Sequence, residues 1–155
     1  MALTRQNYAR HRKLQKEHLV LLSQSNIKTS IIRKVFGEYY ILHFVKVPDN
    51  LERPTQPLFI EGTKEACSTR FDEYFSLYKK NDLPDTTKVI SIENGILALD
   101  MEKEGEHTEY KDFHWADFCM IGVSSHKFPY IREFVISPEI IAIDTKYTEE
   151  YFKEG

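Results

Sequence analysis

Apolar positions in this chain come in short blocks whose period changes several times. Leu19-Val20-Leu21-Leu22 is unbroken and closes a stretch, Thr4 to Ser23, that lacks Gly and Pro and is rich in Arg, Lys, Gln and Leu. Those are good helix formers and Thr4 is a suitable N-cap, so the pattern predicts a helix over residues 4–23 whose second half docks and whose basic first half projects. Ser23-Gln24-Ser25-Asn26 ends it. Ile27 to Phe36 is rich in β-branched residues and Tyr39 to Val47 is almost wholly apolar, which reads as two extended segments turning at Gly37-Glu38. Pro48, Pro54 and Pro57 mark a loop, with Leu58 to Ile60 a short extended piece after it.

The period then lengthens. Cys67, Phe71, Tyr74, Phe75 and Tyr78 fall at i, i+4, i+7, i+8 and i+11 behind Thr63, a fitting N-cap, so a long helix with an aromatic core face is expected, stopped by Asn81-Asp82-Leu83-Pro84. Lys88 to Glu93 and Ile96 to Met101 flank Asn94-Gly95, the pair best suited to a two-residue type I′ hairpin. Glu102 to Glu109 reads as an acidic tip. Further apolar segments follow at Tyr110 to Trp115, Phe118 to Ser124, Tyr130 to Ile136 and Glu139 to Ile143. Thr145 to Lys153 reads as a short closing helix. The expected class is α+β: an antiparallel, curved sheet or partial barrel of about seven strands, rather than a βαβ fold, with one long helix after the first strand, a short C-terminal helix and a basic N-terminal helix. Residues 1–26 form the arm and residues 27–155 a single domain.

With 155 residues, 41 % hydrophobic and 29 % charged, the chain fits one domain with a core of ordinary size. The net charge of −3 hides a division: residues 1–37 hold eight Lys/Arg and one acid, a net of +7, and the rest hold 13 Lys/Arg and 23 Asp/Glu, a net of −10. The basic arm is therefore either a phosphate-seeking segment or one that folds onto its own acidic body. No membrane span and no secretory signal is readable, so a reducing, cytoplasmic location is expected, with Cys67 and Cys119 as buried thiols rather than a bridge.

The strand Tyr39 to Val47, the helix holding Glu65-Ala66-Cys67 and the run Val89-Ile90-Ser91-Ile92-Glu93-Asn94-Gly95-Ile96-Leu97-Ala98-Leu99-Asp100 resemble a phosphotyrosine-binding domain of the pleckstrin-homology superfold. Phe113-His114-Trp115-Ala116-Asp117-Phe118, followed by Ile121, Ser124, Lys127 and Phe128, is similar to the third lobe of a FERM module. The resemblance spans roughly residues 38–153. It implies peptide binding by strand addition, with an extended partner along Phe118 to Ser124, including Met120, and against Tyr147, Tyr151 and Phe152.

Chemistry has little foothold in the motifs. Glu106, His107, His114, Cys119 and His126 cluster in sequence but lack the spacing of a metal site, and Cys119 with His114 or His126 as base lies among apolar neighbours. No GxGxxG, Walker A, GxSxG or HExxH pattern occurs, so no cofactor and no metal are expected. The leading expectation is a non-enzymatic protein- or peptide-binding interaction module, an adaptor or inhibitor, with the basic arm as a second contact. The first alternative is a nucleic-acid or anionic-membrane binder whose Arg5, Arg10, Arg12, Lys13 and Lys16 meet phosphates. The second is a small enzyme using the Glu106, His107, His114 and Cys119 group.

Overall fold

The computed structural model describes residues 16–47, 56–78, 82–99, 113–137, 139–144 and 146–147. These form β1 (Glu17–Leu21), α1 (Asn26–Phe36), β2 (Tyr40–Phe44), α2 (Phe59–Leu77), β3 (Lys88–Ala98), β4 (Trp115–Ser125), β5 (Glu133–Ile136) and β6 (Ile141–Ala142). The class is α+β, an open, curved sheet of six strands with two helices among the described residues. The strand order is β2-β1-β3-β4-β5, and β6 pairs with β4.

The pairing is mixed rather than antiparallel. β1 runs parallel to both β2 and β3, while β3–β4, β4–β5 and β4–β6 are antiparallel. Two parallel crossovers, β1-α1-β2 and β2-α2-β3, stand in place of the expected antiparallel curved sheet or partial barrel. Parallel neighbours need a connection of a dozen residues or more, commonly a helix, and this explains why residues 26–36 are helical despite their β-branched content. Helical geometry buries Thr29 and Ile32 on the sheet and leaves Ile27, Ile31 and Val35 outside.

The reverse correction applies to Glu17–Leu21, expected to be the docking half of a helix and found to be the sheet's inner strand. Leu19, Val20, Leu21 and Leu22 are all buried, which one face of a helix does not achieve. A strand covered on both faces does. Leu19 and Leu21 pack with Ile32 beneath α1, while Val20 and Leu22 pack with Phe71 and Tyr74 beneath α2. The domain therefore includes residues assigned to the arm. Residues 1–15 lie outside the described part.

Asn94-Gly95 makes no hairpin. β3 passes through it as one strand, Gly95 opposite Phe118, and no described glycine has a positive φ. The long helix is present, but it starts at Phe59 with Leu58 as N-cap. Thr63 is buried within it, its hydroxyl donating to the Phe59 carbonyl at 2.8 Å. Leu58 itself forms a parallel bridge with Ile96. The Glu102–Glu109 tip lies outside the described residues, as does most of the closing helix.

Candidate functional site: the crevice at the end of β1

β1 sends its connection across one face of the sheet to β2, and β2 returns across the other face to β3 on β1's far side. Outgoing connections diverge at the β1/β3 boundary, and open α/β sheets leave a crevice there, outside the C-terminal end of the strand. The lengths of the strands deepen it. Pairing of β1 with β3 stops where the Leu22 N–H donates to the Ile90 carbonyl at 2.9 Å, whereas β3 continues to Ala98.

Side chains take over that uncovered edge. Lys28, in the first turn of α1, donates from Nζ to the Ile92 carbonyl at 2.6 Å, and Gln56 Nε2 donates to the Asn94 carbonyl at 3.3 Å. Farther along, the Ile96 N–H donates to the Pro57 carbonyl. The near wall is the loop Ser23-Gln24-Ser25 and the start of α1. Ser25, the N-cap, makes no side-chain capping bond, and the first turn contains no acid. This helix end presents unopposed N–H dipoles.

Arg70 of α2 and Glu93 of β3 form an ion pair beside the same edge through Arg70 Nε and Glu93 Oε1. Glu93 is buried within β3. Burial, then the nearby Arg70 guanidinium, pull the Lys28 ammonium below the ordinary lysine range, so two cations share this small volume. On β4, Cys119 lies opposite Asn94 and Asp117 opposite Ile96. Burial raises the pKa of both the Cys119 thiol and the Asp117 carboxyl. Among the described residues no three His, Cys, Asp or Glu side chains form a metal-holding group. A divalent cation here would need most of its ligands from whatever it arrived with.

A second hollow, about 580 Å³, opens at the other end of α2 among Phe75, Tyr78, His126 and Tyr130. Several of its polar groups are engaged, although the buried His126 Nδ1 has no hydrogen-bond partner. Arg132 donates to Asp72 Oδ1, the Ser68 carbonyl and the Pro129 carbonyl, and His126 Nε2 shares a 2.7 Å hydrogen bond with the Tyr74 hydroxyl.

Of the residues expected to bind from sequence, those among the described residues do not converge. Phe118 and Met120 are buried against Cys67 beneath α2, and β4 has neighbours on both edges, so the strand proposed to receive a peptide is already paired. Lys16 is exposed at the start of β1, 3.5 Å from the Gly37 carbonyl, and Tyr147 is exposed with the Lys146 ammonium over its ring. His114 lies just before β4, and His126 just beyond its other end. Arg10, Arg12, Lys13, Tyr151, Glu106 and His107 lie outside the described residues. The residues that do converge, Lys28, Arg70 and Glu93, were not singled out by sequence reading. Their signals were a carboxylate within the apolar-rich run Val89–Leu99 and a polar Ser/Asn loop with a lysine two residues after it.

No protein-family model matches the chain. No curated protein matches it in sequence. Among solved structures it is similar to protein VC0702 from Vibrio cholerae, at 17 % identity and a TM-score of 0.58, over 91 % of this chain and 72 % of that one. That likeness concerns the fold.

Proposed function

We propose that the chain binds a phosphorylated small molecule of nucleotide type in the crevice at the end of β1 and hydrolyses its phosphoanhydride. The observation that carries this is the convergence of Lys28, Arg70, Glu93 and the α1 N-terminus on the topological switch point. An ammonium, a guanidinium and helix N–H groups suit the distributed charge of phosphate oxygens. The buried carboxylate beside Arg70 would be a liability in a site for a simple anion. It becomes useful if it orients a water for attack on phosphorus, or supplies the protein oxygen to a divalent cation that travels with a polyphosphate. In such a reaction the water oxygen bonds to phosphorus, the bridging P–O bond breaks, and the proton leaves toward Glu93. Lys28 and Arg70 offset the charge that grows on the departing oxygens.

Calorimetric titration of the full chain with inorganic pyrophosphate and with nucleoside triphosphates, with and without Mg²⁺, tests the proposal. Lys28→Met is expected to weaken binding by about tenfold or more, the equivalent of roughly 1.4 kcal/mol. Glu93→Gln is expected to retain binding and lose phosphate release. Absence of binding at millimolar ligand, or unchanged affinity in Lys28→Met, overturns it.

A second reading retains the protein- or peptide-binding module. It is supported by β2, whose outer edge has no strand partner among the described residues and whose Ile41, like Tyr39 just before the strand, is exposed. In that reading the basic arm is a second contact.

A further inference from the structure

The two faces of the sheet are covered unequally. α2 lies over β1, β3 and β4, and Phe134 of β5 packs into the same layer. On the opposite face α1 covers β1, β2 and the first part of β3. Past β3 that face has no helix over it among the described residues. Phe118 and Met120 point beneath α2, so the alternate positions Asp117, Ile121 and Val123 share the opposite face with their cross-strand partners Ile141, Val135 and Glu133; Val123 packs against the α1 cluster, while Ile121, Val135 and Ile141 lie in the open. Val135 is 62 % exposed and Ile141 67 %. Beside this floor stands the ridge of α1, whose outer side carries Ile27, Ile31 and Val35, one turn apart and 74 %, 53 % and 52 % exposed.

A ridge next to a floor is self-complementary. We propose that two copies of this chain pack face to face about a twofold axis that runs parallel to the strands above β3, so that α1 of each lies on the β4–β5 floor of the other. The proposal is independent of the phosphate site. Such an axis preserves height along the strands, and the heights agree. Lys28 reaches the level of Ile92, which is also the level of Ile121 and Val135. The first turns of α1, with Ile27 and Ile31, therefore descend on Ile121 and Val135 of the other copy. Ile32 sits at the level of Leu21 and Ile90, which is that of Val123 and Glu133. The turn that carries Lys34 thus comes to Glu133. Apolar meets apolar and the ammonium meets the carboxylate, twice per dimer. This charge pairing favours a second copy over an unrelated apolar partner.

The test is sedimentation of the full chain across micromolar concentrations, joined to crosslinking. The wild type is expected to reach a dimer mass. Lys34→Glu and Glu133→Lys are each expected to weaken the dimer about tenfold, and the double exchange to recover it. In Ile31→Cys with Val135→Cys the new thiols sit on different layers with β1, β3 and β4 lying across the gap, at roughly 4.8 Å per strand step. That is too far for a bond within one chain. A covalent dimer should form on oxidation. Monomer at every concentration, no covalent dimer, or a dimer indifferent to both charge reversals overturns the proposal. Ile31 and Val135 are exposed, so circular dichroism should show both variants folded.

Discussion

A Cβ placed on Gly95 would stand 1.9 Å from the Thr63 Oγ1 and 2.7 Å from the Phe118 ring, so α2 touches β3 where the strand has no side chain. The glycine is required by close approach and not by a positive φ. Gly95→Ala is expected to destabilise by about 1–3 kcal/mol through overpacking, and Gly95→Val by more. Urea denaturation measures this. Thr63→Ala should recover part of the loss in the double variant, because the two residues share one contact. An unchanged midpoint for Gly95→Ala would show that the helix moves aside freely.

Phe71 is fully buried, and its ring is what a Cβ at Gly122 would strike at 2.8 Å. The Arg132 guanidinium covers it at 5.2 Å from the ring centroid. Phe71→Ala should cost about 3–5 kcal/mol, since it leaves a cavity beneath α2 while freeing the stacked guanidinium. Because Phe71 lies below the crevice, pyrophosphate affinity measured well under the variant's melting temperature should remain.

The core of α2 was legible because Cys67, Phe71 and Tyr74 repeat at helical spacing, a signal that neighbouring elements reinforce. The two ends of the first crossover were not. Leu19–Leu22 and Ile27–Val35 exchange their natural readings, because a strand buried on both faces has no period to detect and a crossover helix with an apolar outer side has a confused one. The candidate site was lost with them. Ser23-Gln24-Ser25-Asn26 acquires meaning only as a strand-to-helix loop, and Glu93 only as the partner of Arg70, a residue 23 positions earlier whose proximity is a tertiary fact.

Acid should loosen the end of the sheet opposite the crevice. His18 Nδ1 and His43 Nε2 lie 2.8 Å apart across β1 and β2, and His126 is held by Tyr74. Burial, with the neighbouring His18, lowers the pKa of His43, and burial lowers that of His126 against the opposing pull of the Leu83 carbonyl. A histidine whose folded pKa lies below its unfolded value of about 6.5 gives its full stabilisation above that pH and loses it as pH falls through the folded value. Unfolding free energy should therefore decline below about pH 6.5. His126→Gln should decline less steeply over the same range in denaturant titrations. Equal slopes would place the acid sensitivity elsewhere.

Lys28 joins the crevice to stability in the opposite region of pH. Burial and Arg70 lower its pKa, so between the folded value and the unfolded value near 10.5 the unfolded chain binds more protons than the native one. Native stability should rise with pH through that window, and Lys28→Met should lack this rise. At neutral pH the variant sheds a desolvated cation but leaves the Ile92 carbonyl without its 2.6 Å donor, a loss of roughly 1–3 kcal/mol that opposes the gain. The melting temperature should accordingly change little. Bound phosphate reverses the balance, because an anion favours the charged ammonium. Pyrophosphate at a hundred times its dissociation constant should stabilise the wild type by about 2.7 kcal/mol. The same addition should stabilise a Lys28→Met variant of tenfold weaker affinity by only about 1.4 kcal/mol, and it should stabilise the wild type progressively less as pH climbs and Lys28 loses its proton. Thermal melts with and without pyrophosphate at neutral and alkaline pH measure both effects. Equal stabilisation of wild type and variant would show that the anion binds away from α1.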